Sequence, residues 1–243
     1  MLIDSGSTFQ VARKIHEAMK TVTPQALKWV INTGGQDHRW LGNGYFKAQG
    51  AEIIAHGNAE ADMKARAGEH QKGLKVLRER LEGTVPTLPT RFVKDNYTRL
   101  ELGGMVIELK HRGGGHTPGD MMVRLPRKNV LFSGDVVYVN RVIGLHPVSR
   151  TQTWLQSFAV IDEIKPQFIV PGHGGVTDLA AAQVRTRDLL VALRAHMKKA
   201  VDEGTDISAA VSSFNSKPFA GLKHAEVWFP QLANMTYLKM ERE

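Results

Sequence analysis

The pattern of apolar and polar residues divides the first half of the chain into alternating strands and helices. Short apolar runs at residues 1–3, 26–32 and 51–55 predict buried strands that end at turns. Residues 8–22 place apolar side chains at helical spacing after a Ser7 or Thr8 cap, which predicts an amphipathic helix. Strands and helices therefore share this half of the chain.

A charged stretch and a hairpin follow. Residues 58–82 favour a helix, and the glycines at 68 and 73 predict that it is interrupted. A proline-rich connector comes next. Residues 97–101 and 105–110 alternate in polarity around two glycines, which predicts a hairpin.

The second half predicts the same mixture of elements. Residues 121–125 and 130–132 indicate paired strands, and the second strand is expected to stop at Ser133-Gly134-Asp135. A helix over residues 153–164 precedes an apolar strand over 168–170. Helices are expected over residues 178–202 and 207–243. Strands and helices are therefore mixed in this half of the chain as well.

Two histidines and one aspartate stand beside these predicted strands. His116 lies in a glycine-rich loop, Asp135 at a strand end, and His173 on the tight turn Pro171-Gly172-His173-Gly174. Neutral imidazole and carboxylate both suit zinc, iron or manganese, so the three residues are candidate metal ligands. The alternative is that the glycines form only a flexible turn and His116 is a surface side chain.

Taken together, the segments LIDSG, GGGHTPGD, LFSGD and VPGHGG resemble motifs of the metallo-β-lactamase-fold superfamily in order and spacing. The resemblance covers nearly the whole chain. It implies an α+β fold class, with one domain over residues 1–243 folded as a four-layer αβ/βα sandwich. It also implies that His116, Asp135 and His173 bind metal.

The loop at residues 33–43 departs from the superfamily pattern T-H-x-H-x-D-H-x-x-G-N. In the ungapped alignment, Gly34 and Gln36 replace two histidines, His38 takes the aspartate position, and Arg39 takes the last histidine position. Sliding by one residue would instead align Asp37-His38 with the Asp-His pair. A site with one zinc ion is expected in either alignment, with iron or manganese as alternatives.

Three residues of this altered loop receive candidate roles from the resemblance. His38 would be a fourth ligand, Asp37 a base for the attacking water, and Arg39 an anchor for an anionic substrate group. The alternative is that Asp37, His38 and Arg39 form a salt-bridged structural cluster.

The resemblance implies a hydrolase in which metal-activated water attacks an ester, thioester, lactone, lactam or phosphoester. The substrate would be a small molecule and could be anionic. A second hypothesis is that the altered loop marks a superfamily member without catalysis, which uses the scaffold to bind a ligand or partner. The loop after Asp135 carries Tyr138, Asn140, Arg141 and His146, which could face a substrate or simply pack. His56 and His224 are expected to be structural.

Charge and composition restrict the partners. The net charge is +8, but basic residues are mixed with acidic ones along the predicted helices, so nucleic-acid binding is not expected. The chain has no cysteine, which excludes thiolate ligands. Neither a membrane span nor an export signal is evident, so a soluble protein is expected, cytoplasmic or periplasmic. The superfamily has strands before LIDSG that this sequence lacks, so we expect either that the sequence is a shortened one or that a second chain, as in a homodimer, covers that sheet edge.

Overall fold

The chain folds into two compact units. The computed structural model describes residues 1–243, with residues 77 and 78 described by their backbone alone. Unit 1 comprises Met1–Thr98, Leu109–His111 and Thr117–Met121. Unit 2 comprises Arg99–Glu108, Arg112–His116 and Met122–Glu243. The prediction of one domain over residues 1–243 stays a prediction.

Unit 1 contains a parallel sheet of four strands, in the order β1-β2-β3-β4. The strands are short and apolar, as expected for a parallel sheet covered by helices. They are β1 (Leu2–Ile3), β2 (Trp29–Ile31), β3 (Glu52–His56) and β4 (Arg91–Val93). The helices are α1 (Phe9–Lys20), α2 (Asp37–Trp40), α3 (Asn43–Ala48) and α4 (Asn58–Gly73), and a 3₁₀ helix (Leu74–Leu81) follows α4.

Helix α1 confirms the amphipathic pattern seen in the sequence. The Thr8 hydroxyl caps it by accepting a hydrogen bond from the Val11 amide at 3.1 Å. Its buried residue Ala12 belongs to a core cluster with Val30 of β2 and Ile53 of β3. The helix is therefore fixed by its cap and by the burial of one face on the sheet.

The second sheet has five strands in the order β5-β6-β7-β8-β9. Its last two strands, which carry the candidate ligands Asp135 and His173, lie wholly in unit 2. The strands are β5 (Tyr97–Leu102), β6 (Met105–His111), β7 (Met121–Leu125), β8 (Val130–Tyr138) and β9 (Phe168–His173). The helices of unit 2 are α5 (Thr151–Ile164), α6 (Leu179–Ala182), α7 (Leu189–Asp202), α8 (Ile207–Ser213) and α9 (Ala225–Met240).

Strand β8 corrects the prediction that the strand stops before Asp135. It continues to Tyr138 and pairs in parallel with β9, and the register shifts between Phe132 and Gly134 and again before Tyr138. Gly134 has a φ of 51°, a conformation that glycine adopts without steric cost. The Ser-Gly-Asp sequence therefore marks a bulge inside a strand, which redirects the chain at Asp135.

The ends of several other helices and strands also differ from the predictions. Helix α4 runs through Gly68 and ends at Gly73, so only the second glycine marks an interruption. Strand β4 was not predicted. A π-helical segment (Gln183–Asp188) joins α6 to α7 in place of one uniform helix. The predicted C-terminal helix is divided into α8 and α9, and His224 adopts a left-handed φ of 63° before α9.

Among the helices that the structure describes, none combines the length and apolar content required of a membrane-spanning segment.

Candidate metal centre

The three predicted ligands in unit 2 come together around one carboxylate. Asp135 is completely buried on β8. His116 Nε2 lies 3.5 Å from Asp135 Oδ2, and His173 Nε2 lies 3.4 Å from Asp135 Oδ1. Each carboxylate oxygen therefore faces one imidazole nitrogen.

His116 is oriented by its surroundings. Its Nδ1 lies 2.9 Å from the carbonyl oxygen of Gly144, which can only accept, so Nδ1 carries the proton. The Ser149 hydroxyl donates to the His116 carbonyl at 2.7 Å and holds the backbone of the loop. Such contacts fix the tautomer and the ring of a metal-binding histidine, with Nε2 as the ligand atom.

His173 is positioned by the end of β9. It pairs with Tyr138 of β8, whose ring centroid lies 4.6 Å from that of the imidazole. Arg141 Nη2 lies 3.0 Å from His173 Nε2, and the guanidinium has only donors, so Nε2 accepts. The lone pair of His173 is therefore on Nε2, the nitrogen nearest Asp135.

The two contacts of Asp135 have the spacing of ligands that share a metal ion. Zinc ligands lie about 2.0 to 2.2 Å from the ion, which places neighbouring ligands of a tetrahedron roughly 3.4 Å apart. The two distances from Asp135 to the imidazole nitrogens match that separation. A fully buried carboxylate also needs a compensating positive charge, which a divalent cation would supply.

The altered loop lies in unit 1, where it builds a buried polar cluster. A Cβ atom at Gly34 would lie 2.5 Å from Asp120 Oδ1 and 3.0 Å from Arg39 Nη1. Thr117 donates its hydroxyl to Asp120 Oδ1 at 2.6 Å. The space beside residue 34, where the resemblance predicts a histidine in other members, is thus filled by other side chains.

Arg39 belongs to the same cluster. Its side chain is buried, with 1% exposed, and Nη1 donates to Thr33 Oγ1 at 2.6 Å. Thr33 in turn donates its amide and its hydroxyl to Asp4, each at 2.7 Å. Burial raises the pKa of Asp4, although Arg39 opposes that shift. These contacts resemble those of a structural ion network more than those of an open substrate anchor.

Asp37 and His38 begin helix α2 in unit 1. Asp37 Oδ1 accepts from the His38 amide at 2.7 Å and lies 3.1 Å from His38 Nδ1. Burial would raise the pKa of Asp37, but the hydrogen bonds and charge of His38 outweigh burial and lower it. A carboxylate with a lowered pKa is a weaker base for a water molecule. The predicted roles of Asp37, His38 and Arg39 stay predictions.

Several residues that position the ligands carried no local signal in the sequence. The Gly144 carbonyl and the Ser149 hydroxyl contact His116 only because the loop after β8 returns to it. The sequence identified Arg141 only as a residue of the loop after Asp135. Its contact with His173 could not be predicted, because that contact depends on the pairing of β8 with β9. His224 is exposed, and the expectation that it is structural stays a prediction.

Comparison with known proteins identifies the family. The model of the metallo-beta-lactamase superfamily matches residues 1–173. The chain belongs to this superfamily. Members bind metal ions, typically zinc, and membership supports a metal-dependent hydrolase in general terms. The matched residues include all three candidate ligands of unit 2.

One curated relative and several solved structures agree with this membership. Metallo-beta-lactamase type 2 of Bacteroides fragilis is 31% identical over 101 residues, which cover 38% of this chain and 39% of the relative. The match thus spans about two fifths of that relative.

The similar structures share the metallo-β-lactamase fold. A metallo-beta-lactamase from Pontibacter korlensis has a TM-score of 0.62 and 20% identity, covering 78% of this chain and 81% of that one. DIM-1 metallo-beta-lactamase gives 0.60 and 20%, covering 78% and 80%. TMB-1 gives 0.62 and 19%, covering 78% of each chain. These similarities confirm the predicted α+β fold class.

Proposed function

We propose that this chain is a hydrolase that uses a single metal ion held by His116, Asp135 and His173. The observation that carries the proposal is the buried Asp135 carboxylate, whose two oxygens face the two imidazole nitrogens at 3.5 and 3.4 Å. Two neutral imidazoles and one carboxylate form the donor set of many catalytic zinc sites, in which a further position stays open. Zinc is therefore the metal that we expect, with iron or manganese as alternatives.

A bound ion of this kind would lower the pKa of a water molecule and polarise a carbonyl or phosphoryl oxygen. The protein's own residues prepare that site. Gly144 and Ser149 hold His116 so that Nε2 points at Asp135. The bulge at Gly134 directs the carboxylate inward, and the burial of Asp135 excludes bulk water from it.

The roles of the altered loop form a separate part of the proposal. His38 is the candidate for a fourth ligand and Asp37 for a base, both from the sequence alignment. Arg39 is the weakest of the three candidates, because it is buried and donates to Thr33. Its contacts favour the structural cluster that the sequence left open.

The substrate would be an ester, thioester, lactone, lactam or phosphoester, the range that the superfamily resemblance implies. Elemental analysis after zinc supplementation and dialysis tests the metal site. We expect about one equivalent in the wild type and a large loss in His116→Ala, His173→Ala and Asp135→Asn. His224→Ala is the matched control, because His224 is exposed on unit 2.

Two results would contradict the proposal. Wild-type protein with less than about a tenth of an equivalent of any transition metal would remove its basis, since structural zinc sites are close to saturation. Protein that binds zinc but hydrolyses none of a panel of chromogenic esters, thioesters, lactams and phosphodiesters would favour a binding scaffold without catalysis.

A further inference from the structure

The outer surface of helices α8 and α9 in unit 2 forms a groove that carries no charge. Residues 207–216 and 227–238 contain no Asp, Glu, Lys or Arg, although these four types make up 23% of the whole chain. The groove contains two cavities of about 580 and 690 Å³, which share Val211, Ser212 and Pro230. Depletion of charged residues is the compositional mark of the centre of a protein–protein interface.

The two helices that form this α8–α9 groove are fixed against each other. The ring centroids of Phe214, just after α8, and Phe229 of α9 lie 6.3 Å apart. The Tyr237 hydroxyl of α9 donates to the Thr205 carbonyl at 2.8 Å, which ties α9 to the turn before α8. Asp206 caps α8 by accepting from the Ser208 amide at 2.8 Å. The groove therefore exists before any partner binds.

The outer side chains of α9 are arranged symmetrically along the helix. Their spacing of three and four residues places them on one stripe. At equal distances from the point between Leu232 and Ala233 stand residues of matched chemistry. The matched pairs are Val227 with Leu238, Pro230 with Met235, Gln231 with Asn234, and Glu226 with Lys239. The first three pairs are apolar, apolar and amide, and the fourth joins an acid to a base.

Such an arrangement is complementary to itself. A two-fold axis through the midpoint of α9, perpendicular to the helix, would place each residue of a pair against its counterpart in a second copy. The exposed apolar side chains Val227 and Leu238, with 61% and 40% of their surfaces exposed, would then cover each other. A parallel arrangement would instead place Glu226 against Glu226, so charge selects the antiparallel one.

Lys239 is able to serve this charge pair. Its Nζ donates to the carbonyl oxygens of Pro147 and Ser149 at 3.1 and 2.7 Å. An ammonium group has three donors, so the third can serve a carboxylate. Glu226 is exposed at the start of α9. An exposed ion pair adds little affinity, but it fixes the direction of the two helices.

We propose that two copies of this chain form a homodimer through the α8–α9 groove, with their α9 helices antiparallel. The proposal does not depend on metal binding or on hydrolysis. Helix α9 has 16 residues and is about 24 Å long, and both helices together are about 20 Å wide. Their pairing would bury on the order of 1,000 Å² in total, the lower end for specific interfaces. We therefore expect a weak dimer, with Kd of about 1 to 100 µM.

The inner side of α9 contacts the loop that follows β8. Trp228 lies 4.6 Å from the Arg141 guanidinium, and Lys239 holds the carbonyls of Pro147 and Ser149. The Ser149 hydroxyl donates to the His116 carbonyl at 2.7 Å. Dimerisation through the outer side of α9 would thus support the loop beside the candidate metal centre without using its residues.

Sedimentation equilibrium from about 1 to 500 µM protein tests the dimer. Gln231→Glu and Asn234→Lys each place like charges close together across the two-fold axis, so each should raise Kd at least tenfold. Both side chains are exposed, so the monomer should fold normally. Gln156→Glu adds the same charge at an exposed position inside α5 and should dimerise as the wild type does.

A mixture of the two variants tests the register. Antiparallel packing places residue 231 of one copy opposite residue 234 of the other. An equimolar mixture of Gln231→Glu and Asn234→Lys should therefore form a heterodimer with a Kd near that of the wild type, because the new carboxylate meets the new ammonium group. A loss of folding in either variant could not produce this recovery.

Three results would overturn the proposal. The first is a wild type that stays monomeric up to about 500 µM. In that case, binding of an apolar fluorescent dye that both variants abolish would indicate a small apolar ligand for the groove. The second is a dimer that Gln231→Glu and Asn234→Lys leave unchanged, which would form through another surface. The third is a mixture that stays monomeric, which would exclude the antiparallel register.

Discussion

A Cβ atom added at Gly172 would lie 2.1 Å from Oδ1 of Asp135 and 2.8 Å from the Asp135 backbone nitrogen. Real Cβ atoms do not approach other heavy atoms so closely. The residue before His173 must therefore be glycine if Asp135 is to keep its place. Strands β8 and β9 approach each other at this point through backbone atoms, which a side chain would separate.

Gly172→Ala should consequently displace Asp135 and weaken the metal site. We expect at least a tenfold loss of zinc affinity, because the carboxylate must move away from both imidazoles. Calorimetric titration with zinc measures this loss. Gly175→Ala is the matched control, since nothing lies within 4 Å of an added Cβ there. Equal zinc affinity in the two variants would show that Asp135 is not a ligand in this position.

Part of this site could be predicted from the sequence. The order of the motifs predicted that His116, Asp135 and His173 bind one metal; both imidazoles lie within 3.5 Å of the Asp135 carboxylate, and their role as ligands stays a prediction. The strand end expected at Asp135 was wrong, because Ser-Gly-Asp is a turn signal in isolation. The pairing of β8 with β9 overrides that local preference and converts the turn into a bulge.

Other features depend on contacts between distant parts of the chain, which no local pattern encodes. The sequence predicted that Gly34 removes a ligand, but not that Asp120 fills the neighbouring space. It gave no reason to connect Arg141 with Trp228, whose contact arises from hydrogen bonds between residues 140–142 and Lys223. Periodicity indicates which residues are buried, whereas such contacts depend on how elements pack.

Restoring the superfamily histidine by Gly34→His should not restore a second metal site. The added Cβ would lie 2.5 Å from Asp120 Oδ1 and 3.1 Å from Thr117 Oγ1, both in a buried cluster. We expect a loss of about 1 to 3 kcal/mol in the free energy of unfolding, typical of overpacking, with zinc stoichiometry unchanged. Urea denaturation and elemental analysis measure the two quantities.

Gly68→Ala provides the control for Gly34→His. Gly68 is an exposed position within α4, where nothing lies within 4 Å of an added Cβ. Alanine there should stabilise the protein by up to about 1 kcal/mol. A rise in zinc content to two equivalents in Gly34→His would contradict our description of the loop as a structural cluster.

Zinc should stabilise the folded protein against unfolding. A ligand that binds only the native state adds about 2.7 kcal/mol when its concentration is one hundred times Kd. Thermal unfolding in zinc and in EDTA should therefore differ in Tm, and Asp135→Asn should abolish the difference. Magnesium is the control ion, because it prefers six oxygen ligands rather than two imidazoles and a carboxylate. An equal shift with magnesium would indicate nonspecific binding.

The stability of the protein should fall as the pH decreases from about 6.5 to 4, partly because of His56. His56 is buried at the end of β3, and its ring stacks on that of His111 with centroids 3.6 Å apart. Burial and the neighbouring His111 lower the pKa of His56 to about 4. Burial also lowers the pKa of His111.

The sign of the effect follows from proton binding. Below pH 6.5 the unfolded chain binds a proton at His56, whereas the folded protein does not until the pH approaches 4, so acid favours unfolding. The loss can reach roughly 3 kcal/mol once the pH is below both values. His56→Phe keeps an aromatic ring beside His111 but cannot bind a proton, so its unfolding free energy should depend less on pH over this range. Urea denaturation in EDTA from pH 7.5 to 4.5 measures both slopes, with His224→Gln as an exposed-histidine control, and parallel slopes for wild type and His56→Phe would refute the assignment to His56.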